Sequence, residues 1–131
     1  MNCAVLVTGA AGQLGIELQR CAWPEGWQVV ALGRDRLDLR DTGAIADIVA
    51  SGHRGQPWAA VINGAAYTAV DKAESDQVTA WQVNALAPAA FAQACAKAGI
   101  PLVQVSTDYV FAGNKDGAWE VEDPLAPLGV Y

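Results

Sequence analysis

The chain has 131 residues, of which 53% are hydrophobic and 17% are charged, and its formal net charge is −6. This composition supplies enough apolar material for one buried core and too few charges for a disordered chain. An acidic chain does not suit a protein that binds nucleic acids or anionic membranes, because those partners attract clustered lysine and arginine.

The N-terminal residues and the cysteines indicate in which cellular compartment the protein is expected. Residues 1–7 lack the basic start of a signal peptide, and the longest uncharged run, residues 77–96, contains too many polar side chains for a membrane span. The three cysteines are dispersed, which favours free thiols in a reducing compartment. We therefore expect a cytoplasmic protein without a membrane segment. With one histidine and no cysteine cluster, no metal site is expected.

Apolar runs rich in β-forming residues alternate with helix-like stretches along the whole chain. The predicted strands are Ala4–Thr8, Gln28–Leu32, Ala59–Asn63 and Leu102–Ser106, with Arg36–Leu39 as a candidate short extra strand. The predicted helices are Gly12–Ala22, Thr42–Ser51 with Thr42 as its N-cap, and Ser75–Ala98. The strands are almost continuously apolar, which is typical of parallel strands covered on both faces. This order predicts a doubly wound α/β fold of the Rossmann type.

Two further features interrupt this alternation of predicted strands and helices. Pro88 interrupts the long helix, because proline cannot donate to the carbonyl of Asn84. A kink that fits the helix to the sheet and a freed carbonyl that holds an ordered water near the active site are both compatible with it. Residues 112–130 are rich in glycine, proline and acidic residues and predict an irregular loop.

A glycine-rich turn joins the first strand to the first helix with the spacing G-x-x-G-x-x-G. Gly9 permits a tight turn, Gly12 lets backbone approach a pyrophosphate, and Gly15 allows close packing of helix and sheet. The amides at the helix N-terminus would then face the phosphates. The turn predicts a dinucleotide site, although three glycines can also serve a purely structural turn.

The end of the second strand bears on the choice of cofactor. Gly33 stands where a ribose-binding acid is common, and Arg34 follows it as a planar donor that could pair with a 2′-phosphate. Asp35 could instead accept a bond from the ribose hydroxyl or repel the phosphate, and Arg34 could be an ordinary surface charge. We expect NADPH as the cofactor, with NADH tolerated.

Three further segments carry a resemblance to a known family. They are LDL at residues 37–39, NGAAYTAVDKAE at 63–74 and STDYVFAG at 106–113. Together with the glycine turn they resemble the dTDP-4-dehydrorhamnose reductases, which are extended short-chain dehydrogenases/reductases. The resemblance runs from Cys3 to Tyr131, and the second and third segments are its most specific parts. Asp71, Lys72 and Glu74 also fit a solvated helix start with acids near its N-terminus.

The resemblance implies a role for individual residues. Cofactor contacts are implied for Gly9, Gly12, Gln13, Leu14, Gly15, Asp38, Leu39, Ala65, Ala66, Tyr67, Val105 and Ser106, beside Arg34. Sugar contacts are implied for Thr68, Thr107, Asp108 and Tyr109. Thr107 and Tyr131 match the catalytic Ser/Thr and Tyr of the family, and the Tyr-x-x-x-Lys lysine would fall after the last residue printed here.

The implied reaction is reduction of the C4 ketone of a dTDP-6-deoxy-4-keto sugar by NADPH. Tyr131 would protonate the developing alkoxide while Thr107 hydrogen-bonds the same oxygen. A neighbouring ammonium makes a phenol a better acid by stabilising the phenolate, which is the role implied for the lysine. We therefore expect residues 1–131 to be a nucleotide-binding domain that is truncated at Tyr131, lacks the substrate domain and has no reductase activity by itself.

Other readings stay open at this point. A sugar-nucleotide epimerase or dehydratase shares the fold, although the AYTAVDKAE segment counts against it. A non-catalytic NADP-binding regulatory subunit is a third candidate, and binding of NADP(H) alone is a fourth. Tyr131 could also be incidental. The dTDP-sugar is the expected partner, no nucleic-acid partner is expected, and a homodimer is left open.

Overall fold

The computed structural model describes residues 3–131 and contains a four-stranded, all-parallel sheet in the order β2-β1-β3-β4. The strands are β1 Cys3–Thr8, β2 Trp27–Leu32, β3 Ala60–Asn63 and β4 Leu102–Gln104. The helices are α1 Gln13–Arg20, α2 Thr42–Ser51, α3 Val70–Ala73, α4 Gln77–Trp81 and α5 Ala87–Ala98. A π-helical turn, Gln82–Leu86, joins α4 to α5, and a 3₁₀ turn, Asp108–Val110, follows β4. The predicted doubly wound fold is confirmed.

The main core lies between one face of the sheet and the helices α2 and α5. Phe91 of α5, Ile45 of α2 and Leu6 of β1 are completely buried there. Full burial of a side chain of this size stabilises the fold by about 1.5–3 kcal/mol. The same face holds Val61 and Leu102, which follow Leu6 in one cross-strand row.

The opposite face of the sheet is covered unevenly. In the next row, Val7 on β1 is completely buried, Ile62 on β3 is partly buried, and Val103 on β4 is 54% exposed. Helix α1 lies next to β2, and its buried residue, Gly15, packs against the backbone of the turn at Gly9. Cover on this face therefore decreases from the centre of the sheet towards β4.

Two local predictions are wrong. The N-cap of α2 is Asp41, whose carboxylate accepts a bond of 2.9 Å from the amide of Ala44, and Thr42 is the first helical residue. Asp41 serves because aspartate is at least as good an N-cap as threonine and stands one position earlier. Residues 36–39 form no strand, because the chain turns back on itself after β2 through bonds from the amides of Arg36 and Leu37 to the carbonyl of Gly33.

The long predicted helix over Ser75–Ala98 is divided. In the π turn the amide of Ala87 donates to the carbonyl of Gln82, five residues back. This wider turn ends just before Pro88, which then sits in the first turn of α5, where its missing amide costs no helical bond. The fourth strand also ends earlier than predicted, at Gln104, although the amide of Val105 still donates to the carbonyl of Asn63. None of the helices within residues 3–131 is long and apolar enough to span a membrane.

Candidate active site

A continuous groove crosses the sheet at the carboxyl ends of its strands. Its central part, about 650 Å³, lies over the turn between β1 and α1. An outer pocket of about 130 Å³ and an inner pocket of about 360 Å³ extend it in two directions. All three share Ala65 and Ala66, which follow β3. Open α/β sheets bind ligands at this edge, where the connections to neighbouring strands diverge.

The glycine turn forms the floor of the central part. Gly9 has a φ of 77°, and a Cβ there would lie 3.0 Å from the amide nitrogen of Ala65, so the turn packs against the end of β3. A Cβ on Gly15 would overlap the carbonyl oxygen of Gly9. The N-cap of α1 is Gly12, which has no side chain to cap the helix. The amides of the first turn of α1 are therefore left to water or to a ligand, and the helix dipole favours an anion there.

The outer pocket combines basic and acidic side chains beyond the end of β2. Arg40 holds the Asp38 carboxylate through its Nε atom at 3.0 Å and its Nη2 atom at 2.6 Å. This hydrogen bonding lowers the pKa of Asp38 from 3.8 to about 2. Arg34 lines both this pocket and the central groove, which leaves a cation beside the second strand. The Asp35 carboxylate lies under Gly33, with Oδ1 2.7 Å from where a Cβ would stand.

A row of polar side chains links three strands beneath the groove. Thr8, Asn63 and Gln104 are paired in register on β1, β3 and β4. The Thr8 hydroxyl donates to Asn63 Oδ1, and Asn63 Nδ2 donates to Gln104 Oε1 at 2.8 Å. The Ala65 amide in turn donates to the Thr8 hydroxyl at 3.3 Å. Since Thr8 and Asn63 are buried, the row fixes the relative positions of the strand ends that support the groove.

This row makes a prediction about stability. Thr8→Val keeps the side-chain volume but removes the donor to Asn63, and an unsatisfied buried polar group costs about 1–3 kcal/mol. Thr8→Ser keeps the hydroxyl but removes a methyl group, which costs about 0.8 kcal/mol. We expect urea unfolding to rank Thr8→Val as the less stable variant. If packing alone mattered, Thr8→Ser would be the less stable of the two.

The side chain of Asn84, on the π turn, holds the backbone that follows β3. Its Oδ1 atom accepts the Tyr67 amide at 2.8 Å, and its Nδ2 atom donates to the Tyr67 carbonyl at 3.1 Å. The phenol of Tyr67 donates to Asp76 at 3.2 Å, away from the groove, and desolvation is the largest cause that raises its pKa. The hydrogen bond from Thr79 is the largest cause that lowers the pKa of Asp76.

The inner pocket contains a hydroxyl pair that could act on a carbonyl. Thr107 is the N-cap of the 3₁₀ turn and accepts the Tyr109 amide on its Oγ1 atom at 3.2 Å, so its own proton is free to be donated. Tyr131 lines the same pocket and is partly buried. Its ring meets the Tyr109 ring edge-on, with centroids 5.6 Å apart. Asn84 and Val105 also line this pocket.

Most of the residues singled out in the sequence line this groove. They are Gly9, Gly12, Gln13, Leu14, Arg34, Asp38, Leu39, Ala65, Ala66, Thr68, Val105, Ser106, Thr107 and Tyr131. Gly15 lies beneath the turn, and Tyr67 is held at the side by Asn84 and Asp76. Asp108 and Tyr109 line a neighbouring, largely apolar pocket of about 370 Å³ that reaches Trp119 and Tyr131.

Sequence reasoning missed two sets of groove residues. The polar row of Thr8, Asn63 and Gln104 has a visible signal, since each residue ends an apolar strand, but its pairing depends on strand register. The clamp formed by Asn84 was also missed, because the proline at position 88 points only to the backbone carbonyl of Asn84 and not to its side chain. Its side chain reaches Tyr67 because the π turn places it there.

Comparison with known proteins gives consistent matches along the chain. The family described as "RmlD substrate binding domain" matches residues 2–131. A dTDP-4-dehydrorhamnose reductase of Streptomyces griseus is 46% identical over 126 residues, which cover 96% of this chain and 40% of that protein. The enzyme of that name from Mycobacterium tuberculosis (strain CDC 1551 / Oshkosh) is 44% identical over 131 residues, which cover 97% of this chain and 41% of the relative.

A solved structure agrees with these relatives. The dTDP-4-dehydrorhamnose reductase of Bacillus anthracis, solved in complex with NADP, superposes with a TM-score of 0.89 at 34% identity, covering 100% of this chain and 45% of that one. The chain thus spans about two fifths of the length of the curated relatives it matches. Its motifs, its fold and these matches agree that the chain belongs to the family described as "RmlD substrate binding domain".

Proposed function

We propose that this chain forms the cofactor-binding part of an NADPH-dependent reductase that converts dTDP-4-dehydro-L-rhamnose to dTDP-L-rhamnose. The observation that carries the proposal is the single groove with a bare helix N-terminus at its centre and the hydroxyls of Thr107 and Tyr131 at one end. The names of the relatives and the NADP complex of the Bacillus anthracis protein support it.

The residues of the groove fit a dinucleotide. The side-chain-free N-cap at Gly12 leaves room and free amides for the diphosphate. The outer pocket, with Leu39 and the fixed Asp38 carboxylate, suits an adenosine, and Arg34 beside it suits a 2′-phosphate. The inner pocket, between Ala65 and Val105, suits a nicotinamide ring. We propose NADPH as the preferred cofactor, with NADH tolerated because Asp35 offers a carboxylate at the same strand end.

The chemistry at the inner end divides between cofactor and protein. Bound NADPH supplies the hydride that reduces the C4 carbon of the sugar. Tyr131 donates its phenolic proton to the ketone oxygen as that oxygen gains negative charge. Thr107 donates a hydrogen bond to the same oxygen, because its acceptor side is already occupied by the amide of Tyr109. Thr68 lines the pocket close by, and Asp108 and Tyr109 border it, so they are proposed to contact the sugar.

The proposed role of Arg34 predicts a selective loss of affinity. In Arg34→Ala we expect the Kd for NADPH to rise by about 10-fold to 100-fold, which is the value of a hydrogen bond to a charged group, about 1.5–3 kcal/mol. The Kd for NADH should change by less than about 2-fold, since NADH has no 2′-phosphate. Fluorescence titration of both nucleotides measures the difference.

Arg36→Ala is the matched control for that titration. Arg36 lies in the same turn and is exposed, but it lines none of the groove. Its removal should leave both affinities unchanged. Equal losses of NADPH and NADH affinity in Arg34→Ala would show that Arg34 does not recognise the phosphate.

The reaction itself is tested with the complete reading frame that contains this chain. The purified protein should oxidise one NADPH for each dTDP-4-dehydro-L-rhamnose consumed, with dTDP-L-rhamnose identified by mass spectrometry and NMR. An epimerase would convert a nucleotide sugar without net consumption of cofactor. A regulatory subunit would bind NADPH with no turnover. Either of those outcomes would replace the reductase proposal.

We also propose that the protein works in the cytoplasm and binds no nucleic acid. Cys3, Cys21 and Cys95 are free thiols, which suits a reducing compartment. The net charge of −6 supports the second statement. The sequence leaves a homodimer as a prediction, and light scattering coupled to gel filtration would measure the oligomeric state.

A further inference from the structure

A carboxylate outside the groove holds the backbone that leads into Tyr131. Glu74 follows helix α3, and its Oε1 atom accepts the amide of Val130 at 2.8 Å. The two residues are 56 positions apart, so the bond joins separate parts of the chain. The acceptor is an ionised group, which makes the bond stronger than one between neutral groups.

The residue before the bonded amide is suited to this contact. A Cβ on Gly129 would lie 3.2 Å from Glu74 Oε1, tighter than an ordinary contact, so a side chain at 129 would push the carboxylate away. Glycine therefore allows the close approach. The helix that precedes Glu74 is itself fixed, because Ala73, its last residue, is completely buried.

Few other interactions stabilise the segment that Glu74 holds, which comprises residues 126–131. It contains no helix or strand, and Leu128 is 85% exposed. Its earlier part is tied to the 3₁₀ turn by a bond of 2.9 Å from the amide of Ala126 to the carbonyl of Val110. At its end, the Tyr131 ring packs edge-on against Tyr109. Among the hydrogen bonds of residues 3–131, the bond to Glu74 is thus the one nearest in sequence to the proposed catalytic phenol.

From this arrangement we propose that Glu74 is a positioning residue for Tyr131. By holding the peptide next to Tyr131, it sets where the phenol stands in the inner pocket relative to Thr107. Glu74 lines none of the three pockets of the groove, so its effect on Tyr131 would pass through the backbone. The inference rests on the proposed reductase function.

The test compares variants of the complete reading frame. In Glu74→Ala we expect kcat to fall roughly 10-fold to 100-fold, the penalty of misplacing a reacting group by about 1 Å. The Kd for NADPH should be unchanged, and because Glu74 is exposed the unfolding temperature should not move. Glu74→Gln keeps an acceptor oxygen of the same length and should restore kcat to within about threefold of the unmodified protein.

A second variant perturbs the same bond from its other side. Gly129→Ala should lower kcat by a smaller factor, and it should cause no further loss in a protein that already carries Glu74→Ala, because both changes remove one contact. Glu25→Ala, at an exposed glutamate distant in sequence from both segments, is the control and should leave kcat unchanged. Additive losses, or full activity in Glu74→Ala, would overturn the positioning role.

The variant Tyr131→Phe distinguishes failure of this inference from failure of the proposed reductase function. If Tyr131→Phe is inactive while Glu74→Ala has normal kcat, the positioning role fails and the reductase proposal stands. If Tyr131→Phe turns over normally, the catalytic assignment itself fails. A fall in unfolding temperature that accompanies the kcat loss in Glu74→Ala, without rescue by Glu74→Gln, would assign Glu74 to structure alone.

Discussion

Gly15→Ala is expected to abolish NADPH binding and to lower the unfolding temperature. A Cβ at residue 15 would overlap the carbonyl oxygen of Gly9 and lie 2.8 Å from its carbonyl carbon. Both are backbone atoms of the turn, and Gly9 is itself packed against the end of β3, so neither side has room to move. The turn must therefore distort, which displaces the amides that would meet the diphosphate.

Gly12 provides the matched comparison within the same turn. The nearest atom to a Cβ at residue 12 is the Gly9 carbonyl oxygen at 3.3 Å, so Gly12→Ala should fold with nearly normal stability. Gly12→Val should also fold, but its branched side chain would stand over the helix N-terminus and block the cofactor. Calorimetry with NADPH, together with thermal unfolding, separates the two effects. Unchanged NADPH affinity in both Gly15→Ala and Gly12→Val would contradict the placement of the diphosphate.

Tyr131→Phe is expected to reduce kcat by about 10²–10⁴-fold, the usual contribution of a positioned general acid. The substitution keeps the ring, so the edge-on packing against Tyr109 is retained and only the proton is lost. The Kd for NADPH should stay the same, because the phenol lies at the inner end of the groove. Steady-state kinetics of the complete reading frame measure kcat, and a separate titration measures the Kd. Loss of cofactor affinity in step with kcat would indicate a binding role instead.

Local signals in the sequence were sufficient to predict the fold. The apolar runs predicted four strands, and the spacing of Gly9, Gly12 and Gly15 predicted a turn after the first of them, where the central part of the groove lies. The predicted ends of helices were less accurate where either of two neighbouring residues can serve as the N-cap, as Asp41 and Thr42 can at the start of α2. Pro88 indicated an interruption, but whether it bends the helix or follows a π turn depends on packing that a single helix does not encode.

The parts of the site that escaped prediction depend on distant residues. The row of Thr8, Asn63 and Gln104 requires a strand register that only the folded sheet defines. The bond between Glu74 and Val130 joins residues 56 positions apart, and Glu74 alone is equally compatible with a solvated helix start. Motifs therefore predicted which residues surround the groove, while the contacts that support them needed the three-dimensional arrangement.

The uneven cover of the sheet bears on practical work with this polypeptide. Val7, Ile62 and Val103 form one row in which exposure rises from none to 54%. Large exposed apolar patches promote self-association. A preparation of these 131 residues alone should therefore bind hydrophobic dyes and become turbid at high concentration. The substitutions Val103→Lys and Val103→Glu would be the first to try for a sample that does not self-associate.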